Sequence, residues 1–178
     1  MKKVSIFNIK GGVAKTTSTA NLGACLSQQC KKVLLVDLDP QSNLTKLFKA
    51  YSMDDLTVSD VLLDKHLDIH KVIKKTDFEN INLTFTDREI LIDNKRSQQN
   101  RLAKALAQLN NEYEYCLIDC PPSLNMITTN ALCASDEVFV PIKIDKFALD
   151  GLEYLLESIE DMKDEFNPNL NFKGCFIT

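Results

Sequence analysis

The stretch NIKGGVAKTT at residues 8–17 decides how the rest of this chain folds. It begins where a strand predicted for residues 4–8 ends, and it runs into a helix predicted for residues 16–29. A loop in that position can wrap its backbone N–H groups around phosphate oxygens, and the helix N-terminus adds a favourable dipole. Gly11 and Gly12 let the backbone approach such a group closely. The stretch therefore predicts a phosphate-binding loop.

The loop departs from the strict GxxxxGK[ST] pattern at two positions. The pattern requires glycine at positions 9 and 14, where this chain has Ile9 and Ala14. Lys15 would reach the β- and γ-phosphates, and the Thr16 hydroxyl would bind Mg²⁺. The alternative explanation is a Gly-Gly turn before a helix that happens to contain a lysine. Ala14 is costly if its position requires a positive φ, because alanine tolerates that region poorly.

Three aspartates follow two apolar runs. Asp119 comes after residues 115–118 in the form of a Walker B strand, which would place a carboxylate near the metal. Asp37 and Asp39 close the run at residues 33–36, and their spacing of two puts them on the same side of an extended chain. Two such carboxylates are unfavourable unless a cation or a water network is near. The alternatives are a helix cap for Asp119 and a solvated loop for Asp39.

Strand-like runs alternate with helix-like segments almost from end to end. Nearly continuous apolar strands in such an alternation indicate a parallel sheet covered on both faces, whose ligands bind beyond the carboxyl ends of the strands. The predicted fold class is α/β, a doubly wound, mostly parallel sheet with helices on both faces. The predicted strands are residues 4–8, 33–36, 81–85, 115–118, 138–142 and 172–178; the predicted helices are residues 16–29, 101–109, 125–134 and 148–166, with a polar, helical excursion at residues 44–75.

Composition excludes several classes of protein. The chain has 178 residues, of which 44% are hydrophobic, and its net charge is −4, so it is neither a disordered tail nor a polycation. No apolar run approaches the roughly 18 residues of a membrane span, and the apolar N-terminal stretch is too short for a signal peptide. The six cysteines have no zinc or CxxC spacing, which predicts buried, reduced thiols in a cytoplasmic protein.

Three motifs resemble those of one family, the ParA-type partition ATPases. Residues 10–17, KGGVAKTT, resemble the family's KGGVGKTT, with Ala14 as the departure. The family belongs to the deviant Walker A group, which also contains the MinD-like proteins and does not require glycine at position 9. Residues 32–45 resemble the second family motif, and residues 118–123 resemble its Walker B segment. The resemblance implies a P-loop NTPase fold and a Mg²⁺-dependent ATPase with a weak intrinsic rate.

The resemblance also implies a role for each matched residue. Lys10 corresponds to the signature lysine that reaches the partner's phosphates across a nucleotide-sandwich dimer, and Lys15 acts on the phosphates of its own subunit. Asp39 corresponds to the residue that positions the attacking water, so the implied catalytic residues are Lys10, Lys15 and Asp39. The implied nucleotide-binding residues are Lys10, Gly11, Gly12, Val13, Ala14, Lys15, Thr16 and Thr17, and the implied metal-binding residues are Thr16, Asp37 and Asp119.

The family function is the segregation of DNA. The resemblance implies ATP and Mg²⁺ as cofactors, a homodimer formed with ATP, non-specific binding to DNA, and a centromere-binding ParB-like partner that stimulates hydrolysis. It implies a cytoplasmic, nucleoid-associated protein with no membrane partner. We expect residues 1–178 to form a single P-loop domain that is incomplete at its C-terminus, because family members usually continue past the last predicted strand.

Other functions remain alternatives. A MinD-like regulatory ATPase would need an amphipathic anchor, a nitrogenase-like iron protein would need cluster cysteines, and a GTPase would need an NKxD motif that residues 94–97 lack. A nucleotide-dependent dimer switch with little turnover is the alternative that Ala14 favours.

His66 and His70 lie four apart on a predicted helix, where a solvated face is favoured over a metal site. Two basic clusters are candidates for contact with phosphate backbones: Lys71, Lys74 and Lys75, and Lys95, Arg96 and Arg101.

Overall fold

Seven strands form one sheet in the part of the chain that the computed structural model describes, residues 1–52, 55–87, 98–144 and 151–178. The sheet order is β3-β4-β2-β5-β1-β6-β7. Every neighbouring pair is parallel except β3 and β4, which are antiparallel. The strands are β1 Lys2–Ile6, β2 Val33–Asp37, β3 Lys74–Lys75, β4 Ile81–Phe85, β5 Tyr115–Asp119, β6 Glu137–Ile142 and β7 Asn171–Ile177.

Helices cover both faces of the sheet. Val33 and Leu35 of β2 pack into a core with α1 and α2 on one face, whereas Leu34 and Val36 pack into the core beneath the later helices. The alternation follows from the two-residue period of a strand, and burial on both sides explains why β2 is apolar at successive positions. The helices are α1 Lys15–Gln28, α2 Asn43–Leu47, α3 Val58–Leu63, α4 Arg101–Ala107, α5 Met126–Ala134 and α6 Leu152–Glu165, with a 3₁₀ turn at Ile69–Val72.

The predicted fold class is confirmed, and two of the predicted elements are wrong in detail. The excursion at residues 44–75 is not mainly helical, because it holds two short helices, a 3₁₀ turn and the antiparallel edge strand β3. The first strand ends at Ile6, two residues earlier than predicted, so Asn8 lies in the loop. Residues 148–150 of the last predicted helix lie outside the described residues. The prediction of buried thiols is confirmed for Cys116 and Cys120 and is wrong for Cys25, Cys30 and Cys175, which are exposed.

The predicted basic clusters have separate outcomes. Lys74 pairs with Asp55 at 3.0 Å, on the edge of the sheet. The Arg101 guanidinium donates to the carbonyl oxygens of Leu62 and Leu63 at the end of α3, so it satisfies helix carbonyls within the protein. Lys95, Arg96 and the segment 94–97 considered for an NKxD motif lie outside the described residues. Among the described helices, none is both long and apolar enough to cross a membrane.

His70 forms an exposed ionic bridge. Its two ring nitrogens lie 2.6 Å from Asp68 and 2.7 Å from Glu112, so it ties the 3₁₀ turn to the segment before β5. The residues at 66 and 70 do not share a continuous helix, contrary to the prediction, and the described residues contain no cluster of three or more metal-ligating side chains. Glu112 first, and Asp68 second, raise the pKa of His70 above 6.5 by accepting hydrogen bonds from its charged form.

We expect the contribution of this bridge to stability to depend on pH. A raised pKa means that the folded state binds the proton more tightly, so the contribution is complete below pH 6.5 and is lost as the pH rises through the folded pKa. His70→Gln should therefore lower the urea midpoint more at pH 6 than at pH 9. His66→Gln is the matched control, because the described contact of His66 uses its backbone N–H. Equal losses for His70→Gln at both pH values would contradict the assignment.

Candidate nucleotide-binding site

Asn8 anchors the start of the loop between β1 and α1. The Asn8 amide donates to the carbonyl oxygen of Pro141 in β6 at 2.8 Å, and the Asn8 side-chain oxygen accepts the Lys10 N–H at 2.9 Å. Val13 is buried, while Gly11, Gly12 and Thr17 are exposed. The loop therefore presents its glycines to solvent on a rigid base.

Left-handed backbone closes the loop. Gly12 has a φ of 70° and Ala14 has a φ of 59°, directly before the first residue of α1. A left-handed alanine costs roughly 1–2 kcal/mol, because its Cβ crowds the following carbonyl oxygen. The position thus requires the positive φ that the strict pattern meets with glycine, and the chain tolerates alanine there.

Lys15 folds back over the loop. Its side chain is 7% exposed, and its ammonium donates to the Lys10 carbonyl oxygen at 3.0 Å. Burial lowers its pKa, while the charges of Asp119 and Asp39 act in the opposite direction. The Lys15 ammonium therefore lies within electrostatic reach of both aspartates, as a phosphate-binding lysine beside a metal site requires.

Asp119 carries a carboxylate that is almost fully buried. Neither oxygen has a hydrogen bond of good geometry within the described residues, although the Thr16 hydroxyl is near enough to favour the charged form. Burial is the main cause that raises the pKa of Asp119 to about 7, and the charge of Asp37 adds to it. A buried carboxylate needs a cation or a donor. Together with the Thr16 hydroxyl it offers the oxygen ligands that Mg²⁺ prefers.

Asp37 faces Asp119 in register across β2 and β5, but its carboxylate is already bonded. One oxygen accepts the Thr45 hydroxyl at 2.6 Å and the Thr45 N–H at 2.9 Å, and the other accepts the Asp39 N–H at 3.3 Å. These bonds offset part of the burial that raises its pKa to about 6. Asp37 thus holds the first turn of α2 against the end of β2.

Asp39 lies in a turn beyond β2. Its side-chain oxygen accepts the Gln41 N–H at 2.9 Å, and its carbonyl oxygen accepts the Ser42 N–H at 2.8 Å. Asp39 is half-buried, and its charge acts to raise the pKa of both Lys15 and Asp119. The structure therefore brings Lys15, Asp119, Asp37 and Asp39 together at the carboxyl ends of three central strands.

Two residues of this region were not predicted to take part in the site. Thr45 lies within the second motif, residues 32–45, but no function was predicted for it. It is eight residues from Asp37, and such a spacing does not predict a contact; the contact forms because α2 brings Thr45 back to the end of β2. Asn8 lies at the start of the phosphate-binding loop. An asparagine two residues before Lys10 is typical of an Asx turn, so its hydrogen bond to the Lys10 N–H could have been predicted from the sequence.

The fold and the site define a P-loop nucleotide-binding protein. A family model described as an AAA domain matches residues 1–172. The sporulation initiation inhibitor protein Soj of Bacillus subtilis is 40% identical over 99% of this chain and 72% of its own length. The chromosome-partitioning ATPase Soj of Treponema pallidum is 38% identical over 100% of this chain and 72% of its own. The chain belongs to the ParA/Soj-type partition ATPases.

A solved structure supports the fold assignment. Cobyrinic acid a,c-diamide synthase from Mycobacterium smegmatis, with a bound ATP analogue and magnesium, superposes with a TM-score of 0.92. It is 34% identical, and the match covers 99% of this chain and 74% of that one. The relatives confirm the predicted family, and this structure confirms the predicted fold class.

We expect Asp119→Asn to stabilise the metal-free protein at high pH. The folded pKa of about 7 lies above the unfolded value of 3.8, so the folded state binds more protons between them and loses stability as the pH rises through that range. Asparagine stays neutral throughout. The melting temperature of the variant should exceed that of the wild type at pH 8, in EDTA, and the difference should shrink as the pH falls through 7 and vanish only near the unfolded value of 3.8.

The control is Asp77→Asn, which removes an exposed carboxylate. It should show no such trend. Addition of Mg²⁺ with ATP should stabilise the wild type more than Asp119→Asn. An Asp119→Asn protein that is less stable than the wild type at pH 8 without metal would contradict an unpaired, ionised carboxylate at this position.

Proposed function

We propose that this protein dimerises with ATP, binds DNA non-specifically and drives DNA segregation with a centromere-binding ParB-like partner. The protein is a P-loop ATPase of the partition family that uses ATP and Mg²⁺. One observation supports its chemistry above the others. The buried Lys15 lies within electrostatic reach of the buried Asp119 carboxylate, which has no hydrogen bond of good geometry within the described residues, at the end of the phosphate-binding loop.

We assign the following roles to the site residues. Gly11, Gly12, Val13 and Ala14 would supply backbone N–H groups to the phosphates, and Thr17 would add to the first turn of α1. The remaining residues of the proposed site are Lys10, Lys15, Thr16, Asp37, Asp39 and Asp119. Lys15 neutralises the charge on the β- and γ-phosphates of its own subunit, and Lys10 does so across the dimer.

Thr16 and Asp119 would hold Mg²⁺, with Asp37 beside them as the third proposed metal residue. The ion, when bound, neutralises charge that develops on the phosphate oxygens. Asp39 would orient the attacking water, since phosphoryl transfer depends on positioning and charge stabilisation more than on covalent help. A nucleotide-dependent switch with little turnover is the competing function. Phosphate release with and without DNA and the partner separates the two.

The proposed action of Lys10 across the dimer predicts that Lys10→Ala loses turnover while it retains nucleotide binding. A cation supplied by a partner subunit contributes about 10³-fold or more in related phosphoryl transfers. Stimulated phosphate release should fall by that order, and the affinity for a fluorescent ADP analogue should stay close to the wild type.

Two variants serve as controls for Lys10→Ala. Lys65→Ala, which removes an exposed lysine elsewhere, should leave both quantities unchanged. Lys15→Ala should lose nucleotide affinity itself. Undiminished hydrolysis by Lys10→Ala would refute the proposed action across the dimer.

The proposed function also predicts that the protein associates into a dimer when it binds ATP. With Mg²⁺ and a non-hydrolysable ATP analogue, light scattering should give twice the mass found with ADP, and Lys15→Ala should remain monomeric in both. The dimer should bind random duplex DNA with an affinity that falls steeply with salt, because phosphate contacts release counterions. A mass that is the same with both nucleotides would count against the proposed dimer, and DNA binding independent of nucleotide would count against the proposed binding of DNA by the ATP-bound dimer.

A further inference from the structure

The turn that carries Asp39 ends at a residue with unusual backbone. Ser42 has a φ of 50° and a ψ of 39°, in the left-handed region, and its side chain is buried. Its N–H closes the turn by donating to the Asp39 carbonyl oxygen at 2.8 Å. Left-handed serine is unfavourable by itself, so something in the surroundings must hold it in place.

The Ser42 hydroxyl supplies that contact. It donates to the carbonyl oxygen of Thr86 at 2.8 Å, one residue beyond the end of β4. The Thr86 N–H in turn donates to the Asp37 carbonyl oxygen at 2.9 Å. Thr86 is therefore bonded to the chain on both sides of Asp39. The turn cannot shift relative to β4 unless a buried hydrogen bond breaks.

A second hydroxyl fixes Thr86 from the other side. The Thr86 hydroxyl and the Ser59 hydroxyl form a short hydrogen bond, and both side chains are fully buried. Ser59 belongs to α3, whose N-terminus is closed by a capping box in which Asp60 accepts the Thr57 N–H at 2.8 Å. The Asp39 turn is thus connected through buried hydroxyls to a helix of the opposite face.

We propose that Ser42 is a positioning residue for ATP hydrolysis, whose buried hydroxyl holds the Asp39 turn against Thr86 at the end of β4. The proposal rests on the proposed role of Asp39 in orienting the attacking water. Ser42 itself does not contact the reacting atoms. Its effect arises because a displacement of about 1 Å in a positioning group can lower a rate by up to about 10²-fold.

Two substitutions test the hydroxyl apart from the backbone. Ser42→Gly removes the hydroxyl and relieves the left-handed strain, whereas Ser42→Ala removes the hydroxyl and keeps a Cβ, as Ala14 does at its own left-handed position. Both should lower kcat by about 3- to 10-fold, the equivalent of one lost hydrogen bond. Neither should change KM for ATP or the affinity for ADP.

Ser135→Ala is the matched control. It removes another buried serine hydroxyl, bonded to Ser5 at 2.7 Å and to the Ala131 carbonyl oxygen at 2.8 Å, just before β6 and at the opposite end of the strands. It should lose a similar amount of thermal stability and keep the wild-type kcat. A matching fall in kcat for Ser135→Ala would assign the effect to general destabilisation and overturn the proposal.

Asp39→Ala distinguishes the proposed role of Asp39 from the proposed role of Ser42. If Asp39→Ala lowers kcat and the Ser42 variants do not, the positioning role is wrong and the proposed function stands. If Asp39→Ala leaves kcat unchanged, the proposed role of Asp39 is wrong and the inference about Ser42 falls with it. A loss of ADP affinity in the Ser42 variants, equal to their loss of kcat, would also overturn the inference, because it would indicate damage to the binding loop.

Discussion

Negative charge buried at the carboxyl edge of the sheet is the constraint on which this structure depends. Asp37 and Asp119 occupy paired positions on β2 and β5, and both are buried among apolar neighbours. Two carboxylates so placed cannot both ionise without compensation, and burial raises the pKa of each. The surrounding residues compensate them in different ways. Thr45 donates twice to Asp37 from within the fold, whereas Asp119 is left for a cation and a lysine.

This unequal compensation couples ligand binding to stability. In the protein without ligand, Lys15 and the Thr16 hydroxyl compensate the buried Asp119 carboxylate only in part, and burial also disfavours the charged form of Lys15. A bound Mg²⁺ and a phosphate group would stabilise both ionised forms, so binding free energy adds directly to the free energy of unfolding. A site built this way favours the nucleotide-bound state over the empty one.

The sequence predicts the sheet better than it predicts the segment after β2. The strand-then-aspartate pattern at residues 33–37 and 115–119 identifies both strands and the edge at which their ligand binds, because apolar runs buried on both faces have few other interpretations. The excursion at residues 44–75 has no such run. Its short helices are held by contacts distant in sequence, such as Ser42 with Thr86 and Arg101 with α3, which no local periodicity encodes. The hydrogen bonds between Thr45 and Asp37 were not predicted either, because no local pattern in the sequence encodes them.

The two lysines of the loop illustrate how one backbone contact prepares a site. The Lys15 ammonium has three donors, and the Lys10 carbonyl oxygen takes one of them. That bond fixes the long Lys15 side chain over its own loop and leaves further donors for phosphate. Because less rotamer entropy remains to be lost, phosphate binds at a lower cost. The contact also ties the backbone of Lys10 to the site through Lys15. A substitution at Lys10 therefore retains this contact, since it uses the backbone carbonyl, and tests only the Lys10 side chain.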